Sequence, residues 1–177
     1  MPHLSREEFA PRHPVHATLR VRRGCWNLRS HRAQRVLEAA FHAGRDRFGF
    51  RLVHFSIQGN HLHLLVEAAG KESLARALKG LQVRLARALN TMMGRKGQVF
   101  SDRYHAHVLK TPREVADAPR YVLTNFAHHA RSWGGRVAST FIDPFSSVRY
   151  LATSPGIVAP VTEAKTWLLR VGWLASS

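Results

Sequence analysis

Alternation between apolar and polar positions marks the first regular stretch of the chain, residues 15–22, and predicts a half-buried strand. Residues 50–57 and 61–67 predict two more strands. Turn-forming residues occupy 58–60 between them, so these two strands are expected to form a β-hairpin with a short loop. A fourth strand is predicted over residues 99–109.

The strand at 50–57 is expected to alternate regularly between the two faces of its sheet, because successive side chains of a strand point in opposite directions. On this pattern one face carries Val53, Phe55 and Ile57, and the other carries Leu52, His54 and Ser56. The apolar character of most of these residues predicts that the strand lies in the interior of the sheet.

Apolar residues at spacings of three and four predict two amphipathic helices. The first begins after Ser30, a residue type that caps helices, and its apolar positions continue to Phe48. The second covers residues 71–92 and has the longest apolar stripe in the chain, with basic side chains outside the stripe. Gly94 breaks the chain after it.

A third helical region begins at a capping box. Thr111 and Glu114 have the capping-box spacing, and Pro112 occupies the first helical position, where proline is favoured. Pro119 lacks a backbone donor, so it is predicted to stop or kink this helix. A separate helical segment is then predicted over residues 119–131.

The predicted order of elements is strand, helix, strand, strand, helix, strand, followed by a tyrosine-bearing helix and an irregular tail. This order indicates an α+β protein with a ferredoxin-like βαββαβ sheet and helices packed on one face. The other face is left available for a ligand. We expect a flexible basic arm at 1–14, a folded domain at 15–131, and a C-terminal extension at 132–177 with a short helix within 162–171.

The charge of the chain is strongly unbalanced. Among 177 residues, 27 are Lys or Arg and 11 are Asp or Glu, which gives a formal net charge of +16. So much charge on a small domain favours a polyanionic partner, and nucleic acid is the first to consider. An acidic membrane surface, or a generally arginine-rich proteome, would also explain the charge.

The single cysteine, Cys25, excludes a disulfide framework and a cysteine-based zinc site. No apolar run reaches the roughly 18 residues that a membrane span needs, and residues 1–14 lack the apolar core of a signal peptide. We therefore expect a cytoplasmic protein associated with the nucleoid. The sequence also lacks the motifs of P-loop NTPases, α/β-hydrolases and HExxH metalloproteases.

Histidine is unusually frequent, with 12 residues, and two pairs have the spacing His-x-His. The pairs are His61 with His63 and His105 with His107. Residues two apart on a strand point to the same face, so either pair could hold one metal ion with two imidazoles. The alternative is that these are ordinary strand residues that form hydrogen bonds on a hydrated face.

The segment after Pro119 carries a second group of reactive side chains. Tyr121, Asn125 and His128 are spaced i, i+4 and i+7, so a helix places them on one face. A phenol, an amide and an imidazole in line predict a reactive edge. A polar face exposed to solvent would have the same spacing, so this alternative stays open.

Two motifs together resemble a known family. In the first, residues 55–66, Phe-Ser-Ile-Gln-Gly leads to Asn-His-Leu-His and then to Leu-Leu-Val, and the second is Tyr-x-x-x-Asn from Tyr121 to Asn125. The motifs, their separation and the βαββαβ order resemble the single-tyrosine HUH transposases, in the branch of REP-associated tyrosine transposase-like proteins. The resemblance covers about residues 15–131, which would form the catalytic domain. It departs at Phe126, where the family often has proline.

The resemblance implies a metal-dependent enzyme that cuts and rejoins single-stranded DNA through a 5′-phosphotyrosine intermediate. Tyr121 would be the nucleophile. A divalent Mg²⁺ or Mn²⁺ ion would be held by His61, His63 and Asn125 and would polarise the phosphate. The substitutes for the third ligand are His128 and His129. Two imidazoles and an amide suit Mn²⁺ better than Mg²⁺, which prefers oxygen ligands.

The same resemblance implies a partner, namely single-stranded or hairpin DNA, bound by a monomer or a homodimer. Basic residues on the second helix and beside the tyrosine are expected to hold DNA phosphates: Arg76, Lys79, Arg84, Arg87 and Arg120. One alternative is a domesticated relative that binds DNA without cutting it. Another is a ferredoxin-like RNA-binding module, which is disfavoured because residues 61–67 contain no Phe, Tyr or Trp for base stacking.

Overall fold

A five-stranded antiparallel sheet organises the described part of the chain. The structure is a computed structural model and describes residues 9–132, 134–138, 141–151 and 158–172, without the side chain of His129. The strands in chain order are β1 Val15–Arg20, β2 Asp46–Arg47, β3 Phe50–Ile57, β4 His61–Ala68 and β5 His105–Val108. Their order in the sheet is β2-β3-β4-β1-β5, so β1 lies between β4 and β5.

The helices in chain order are α1 His31–Gly44, α2 Lys71–Met93, α3 Pro112–Ser132 and α4 Trp167–Arg170, with a 3-10 turn at Ser147–Tyr150. Apart from the two-residue β2, the order β1-α1-β3-β4-α2-β5 confirms the predicted ferredoxin-like arrangement. The predicted fourth strand is shorter than expected, since β5 covers only its second half. None of the helices in the described ranges is long and apolar enough to cross a membrane.

Helices α1 and α2 cover one face of the sheet. Apolar side chains of the strands and of these two helices form the main core, in which Phe41 is among the largest fully buried residues. Leu62 and Leu64 of β4 point into this core. Because side chains alternate along a strand, His61 and His63 point to the other face.

The alternation predicted for β3 is wrong at Leu52 and Val53, because a β-bulge interrupts the strand. Leu52 pairs with Val66, whereas His54 pairs with Leu65, so an extra residue of β3 is inserted against one step of β4. As a result, Leu52 belongs to the main core and Val53 packs on the opposite face.

Pro119 does not stop the third helix, and the prediction of two separate segments is wrong. Helix α3 is continuous, with Pro119 in its interior. Proline removes one backbone hydrogen bond. Buried residues on both sides of it, Val115, Ala118 and Val122, nevertheless keep the helix packed on β3 and β4. Packing of this apolar face outweighs the local loss.

Helix α4 of the C-terminal extension packs on the sheet face opposite α1 and α2, whereas Phe145 and Tyr150 of the same extension pack against the main core. Leu168 and Leu169 of α4 join Val53 and Leu65 of the sheet in a second apolar cluster, to which α3 also contributes. This face is therefore not left open, as the element order alone suggested, but is partly covered by α3 and α4.

A buried carboxylate anchors this extension. Glu67 of β4 is fully buried and accepts hydrogen bonds from the amides of Lys165 and Thr166, from the Thr166 hydroxyl, and from Arg51 at 2.7 Å. Burial raises the pKa of Glu67, but the hydrogen bonds from Thr166, Lys165 and Arg51 outweigh it and leave the pKa below its usual value. Glu67 is thus an ionised structural group.

Candidate metal and nucleophile site

Two imidazoles converge on the face of β4 that points away from α1 and α2. His61 Nε2 and His63 Nε2 lie 3.0 Å apart, and their rings are perpendicular. His63 is buried, whereas His61 is half-buried. Two nitrogens that are about 2.1 Å from one ion, at a right angle to each other, are about 3.0 Å apart. The pair therefore has the separation that a shared cation requires.

Hydrogen bonds decide which ring nitrogens carry protons. Asn60 Oδ1 can only accept, so His61 Nδ1, 2.7 Å away, donates to it and leaves the Nε2 lone pair facing His63. On the other ring, His63 Nδ1 lies 3.0 Å from His16 Nε2 and 3.3 Å from Thr18 Oγ1. Either atom can accept the proton of His63 Nδ1, and in that tautomer the Nε2 lone pair of His63 points toward His61 Nε2.

His16 is a site residue that sequence reasoning missed. It lies on β1, which pairs with β4 so that Thr18 is opposite His63. Burial lowers the pKa of His16 to about 4, with further lowering by the charges of His107 and His105. The ring is therefore neutral at pH 7 and can accept a hydrogen bond. The sequence places His16 on the polar side of a predicted strand, but its partner becomes visible only once the strands are paired.

The second histidine pair does not form a comparable site. His107 Nε2 lies 3.3 Å from Glu114 Oε1, so it is engaged with the first turn of α3. His105 is exposed. Across the described ranges, no three His, Cys, Asp or Glu side chains are grouped closely enough to hold a metal ion. Within the described side chains, a third ligand for the His61/His63 pair would therefore be of another type, such as an amide.

Tyr121 lies over the first histidine pair. Its ring centroid is 5.3 Å from that of His63 and 5.8 Å from that of His16, and both contacts are edge-on. The residue is 44% exposed, so a substrate can reach it from solvent. Helix α3, which carries it, packs on β3 and β4. The phenol and the imidazoles thus meet within one chain.

Asn125 is buried with an unpaired amide. It follows Tyr121 by about one helical turn and is 1% exposed, and neither Oδ1 nor Nδ2 has a hydrogen-bond partner among the described residues. Leaving a buried polar group unpaired costs about 1–3 kcal/mol, so such a group normally has a partner, which can be a water molecule or a bound ion. An amide oxygen together with two imidazole nitrogens is a donor set that suits a divalent cation.

A cleft of about 220 Å³ opens beside Tyr121 and Asn125. Its other lining residues are Asp117, Arg120, Thr124 and His128. His128 therefore shares this cleft with Asn125, as their spacing predicts, whereas the side chain of His129 lies outside the described part of the structure.

Arg29 joins the tyrosine-bearing helix to the C-terminal extension, and sequence reasoning missed this residue as well. Its guanidinium lies between the rings of Phe126, at 3.7 Å, and Phe145, at 4.5 Å. It also donates two hydrogen bonds to Asp143, at 2.8 and 3.0 Å, and one to the Ile57 carbonyl at 2.9 Å. Phe126 occupies the position at which proline was expected from the family resemblance. Its contact with Arg29 connects α3 to the C-terminal extension directly after the candidate ligand Asn125.

The basic residues of α2 are remote from this site. All four are exposed on a helix that packs on the opposite face of the sheet: Arg76, Lys79, Arg84 and Arg87. Arg120 is the member of the predicted DNA-binding set that lies beside Tyr121. Any contact between α2 and DNA would therefore involve nucleotides distant from Tyr121.

A comparison with protein families gives a match over much of the chain. The family described as IS200-like transposases matches residues 12–125, which is more than half of the sequence. The chain belongs to the IS200-like transposase family. The matched range contains His61, His63 and Tyr121 and ends at Asn125. The family predicted from the two motifs is confirmed, and with it a transposase-like function in DNA processing.

The chain was also compared with solved structures. A REP-associated tyrosine transposase bound to a REP hairpin matches with a TM-score of 0.62 at 13% sequence identity, covering 93% of this chain and 93% of that chain. An inferred transposase from Deinococcus radiodurans has a TM-score of 0.47 at 13% identity, covering 77% of this chain and 100% of that chain. No curated protein matches the sequence significantly. At this identity, the first match establishes the fold of the chain.

Proposed function

We propose that the protein cuts and rejoins single-stranded DNA through a 5′-phosphotyrosine intermediate at Tyr121, with a divalent cation held by His61, His63 and Asn125. One observation carries this proposal. The ring of Tyr121 lies 5.3 Å from that of His63, whose Nε2 is 3.0 Å from His61 Nε2. The proposed nucleophile and two proposed imidazole ligands therefore lie close together, in a chain that belongs to a transposase family.

The donor set fits Mn²⁺ or Mg²⁺, and Mn²⁺ is favoured because two of the three donors are nitrogens. The unpaired amide of Asn125 supports its role as the third ligand. His128, which lines the same cleft, is the alternative, and the role of His129 stays a prediction. When bound, the cation would polarise the phosphate and stabilise the negative charge that develops during cleavage.

Tyr121 supplies the attacking atom. A bond forms between its phenolic oxygen and phosphorus while the bond from phosphorus to the 3′ oxygen breaks, which leaves a 5′-phosphotyrosine and a 3′-hydroxyl. The phenol loses one proton and the 3′ oxygen gains one, so cleavage neither consumes nor releases a proton overall. Because the new phosphodiester conserves the energy of the old one, a 3′-hydroxyl can attack it and rejoin the strand without ATP.

Hairpin DNA with a single-stranded flank is the proposed substrate. The formal net charge of +16 favours a polyanion, and the similar solved structure holds a REP hairpin. Arg120 would hold the backbone near the reacting phosphate, and the basic residues of α2 would hold a more distant part of the DNA. Since the ring of Tyr121 contacts that of His63 in the same chain, we propose that the tyrosine and the imidazole pair act together within one protomer.

The proposal is tested by trapping the covalent intermediate. We expect that incubation with Mn²⁺ and a labelled hairpin with single-stranded flanks gives an adduct that survives denaturing electrophoresis. Digestion and mass spectrometry are expected to locate the nucleotide on the peptide that contains Tyr121. Addition of EDTA, or the double substitution His61→Ala/His63→Ala, is expected to remove the adduct.

Three outcomes would each refute part of this mechanism. Localisation of the adduct on Tyr104 would assign the nucleophile to another residue. The absence of any adduct, with tight hairpin binding retained, would instead identify a protein that binds DNA without cutting it. An adduct that forms equally well in EDTA would show that cleavage does not depend on the metal.

His16 is proposed to position His63 by accepting its Nδ1 proton. The change His16→Phe keeps a ring in place but removes Nε2, so we expect the affinity for Mn²⁺ to fall by about 10–100-fold, as is typical when such a supporting partner is lost. Isothermal titration of the DNA-free protein measures this. The change His16→Gln, which restores an acceptor, is expected to recover part of the affinity, and the exposed His105→Phe serves as a control. Wild-type affinity in His16→Phe would exclude this role.

A further inference from the structure

A groove of about 850 Å³ runs between α3 and the C-terminal extension. Three guanidinium groups line it, those of Arg113 and Arg120 on α3 and of Arg170 at the end of α4. All three residues are exposed, and no ion pair joins them to an acidic side chain within the described ranges. One acidic residue, Asp117, also lines the groove, so its lining is net cationic.

Between the cations, the lining of the groove is largely apolar. Leu123 of α3 and Leu169 of α4 contribute aliphatic surface, together with Ala116. His54 adds a flat ring, and its Nδ1 is 3.2 Å from Ser147 Oγ. Burial lowers the pKa of His54 to about 4, so this ring is neutral at pH 7. Apolar surface with flanking cations suits a chain of bases and phosphates, because bases stack on planar groups and arginines pair with phosphates.

The groove adjoins the cleft beside Tyr121, because two exposed residues of α3 line both. Asp117 and Arg120 line both the groove and the smaller cleft that contains Tyr121 and Asn125. A ligand that occupies the groove and reaches Tyr121 must therefore be extended. A single DNA strand is an extended anionic ligand with apolar faces. When one of its phosphates lies at Tyr121, the neighbouring nucleotides extend beyond the small cleft and need a second binding surface.

We infer that this groove binds the single-stranded DNA adjoining the phosphate that Tyr121 attacks, with Arg113, Arg120 and Arg170 holding its phosphates. The inference rests on the function proposed above, and it identifies where the flanking single strand would bind. It also assigns a role to the C-terminal extension, whose α4 forms one wall of the groove. The basic residues of α2 lie on the other side of the sheet and would not contact this flank.

The test compares two labelled DNAs in EDTA, so that binding is measured without cleavage. One is a hairpin with no overhang, and the other has the same stem with single-stranded extensions on both sides. We expect the wild-type protein to bind the extended DNA more tightly, and Arg113→Gln/Arg170→Gln to lose that gain while its affinity for the blunt hairpin stays. Fluorescence anisotropy at several salt concentrations gives the slope of log affinity against log salt concentration. For the extended DNA, the magnitude of this slope is expected to be about 1.4 smaller in the double variant than in the wild type, at roughly 0.7 for each lost phosphate contact.

Two further variants separate a specific groove from general electrostatic attraction. Ala116→Trp fills the groove without changing the charge and is expected to remove the same gain. Arg32→Gln/Arg35→Gln removes two exposed charges from α1, on the opposite side of the sheet, and is expected to preserve it. Retention of the gain in either groove variant, or its loss in the α1 variant, would overturn the inference.

The failure of this inference can be told from the failure of the proposed function. Trapping of the adduct on Tyr121 combined with an unaffected gain in the groove variants would overturn the groove alone. A gain that depends on the groove, in a protein that forms no adduct, would support the groove and refute cleavage. Melting curves of each variant establish that the comparison is made between folded proteins.

Discussion

Replacing Tyr121 with phenylalanine is expected to abolish the covalent protein–DNA adduct and to leave the binding of DNA and Mn²⁺ intact. The substitution removes one oxygen and keeps the ring. In the wild-type protein the centroid of this ring lies 5.8 Å from that of His16 and 5.3 Å from that of His63. The reacting atom is lost while the packing is retained. Removal of a nucleophile costs up to the order of 10⁶ in rate, so no adduct is expected on a denaturing gel.

Tyr104→Phe is the matched control, because it deletes the same atom elsewhere. Tyr104 packs against the core that α1 and α2 form with the sheet, rather than against the histidine pair. We therefore expect wild-type yields of adduct from this variant. Persistence of the adduct in Tyr121→Phe, with its loss in Tyr104→Phe, would contradict the proposed site.

The placement of the candidate ligands and of the candidate nucleophile on their elements could be predicted, because local periodicity determines which residues share a face. His61 and His63 share a face of β4 since residues two apart on a strand always do. Tyr121 and Asn125 share a face of α3 since residues four apart on a helix are neighbours. Neither the strand repeat nor the helix repeat indicates that these two faces meet; only the resemblance to the family implied it.

The supporting residues could not be predicted because they depend on contacts between distant parts of the chain. His16 reaches His63 through the pairing of β1 with β4, which no local pattern specifies. Arg29 contacts Phe126 and Asp143, which belong to α3 and to the C-terminal extension. A single sequence gives the type of these residues but not their neighbours.

The two errors in secondary structure have a similar origin. The bulge in β3 shifts Leu52 and Val53 because α3 and α4 provide an apolar partner on the second face of the sheet, and Val53 packs there. Pro119 is tolerated inside α3 because the same face buries residues on both sides of it. In both cases tertiary packing decided between local alternatives.

Packing on this second face also argues against the RNA-binding alternative. Modules of that kind stack bases on an open sheet surface. Leu65 and Val53, in the middle of the sheet, are instead buried under α3 and α4. The exposed openings lie beside α3, at Tyr121 and in the groove between α3 and the C-terminal extension, rather than on an open sheet surface.

Replacing Asn125 with leucine is expected to have opposite effects on stability and on metal binding. Leucine has a similar size and removes a buried amide that has no hydrogen-bond partner in the described part of the chain. Because an unpaired buried group costs about 1–3 kcal/mol, urea unfolding in EDTA is expected to show a gain of stability of that order. The stabilisation that Mn²⁺ gives to the wild-type protein is expected to shrink, since one ligand is lost.

Asn125→Asp separates the two effects. It retains an oxygen ligand, so the response to Mn²⁺ is expected to persist, whereas in EDTA a buried carboxylate without a partner is expected to be less stable than the amide. Opposite orders of stability with and without Mn²⁺ for these two variants would identify Asn125 as a residue retained for the cation at the expense of the fold. A loss of stability in Asn125→Leu under metal-free conditions, with an unchanged Mn²⁺ response, would instead make the amide a structural group and exclude it as the third ligand.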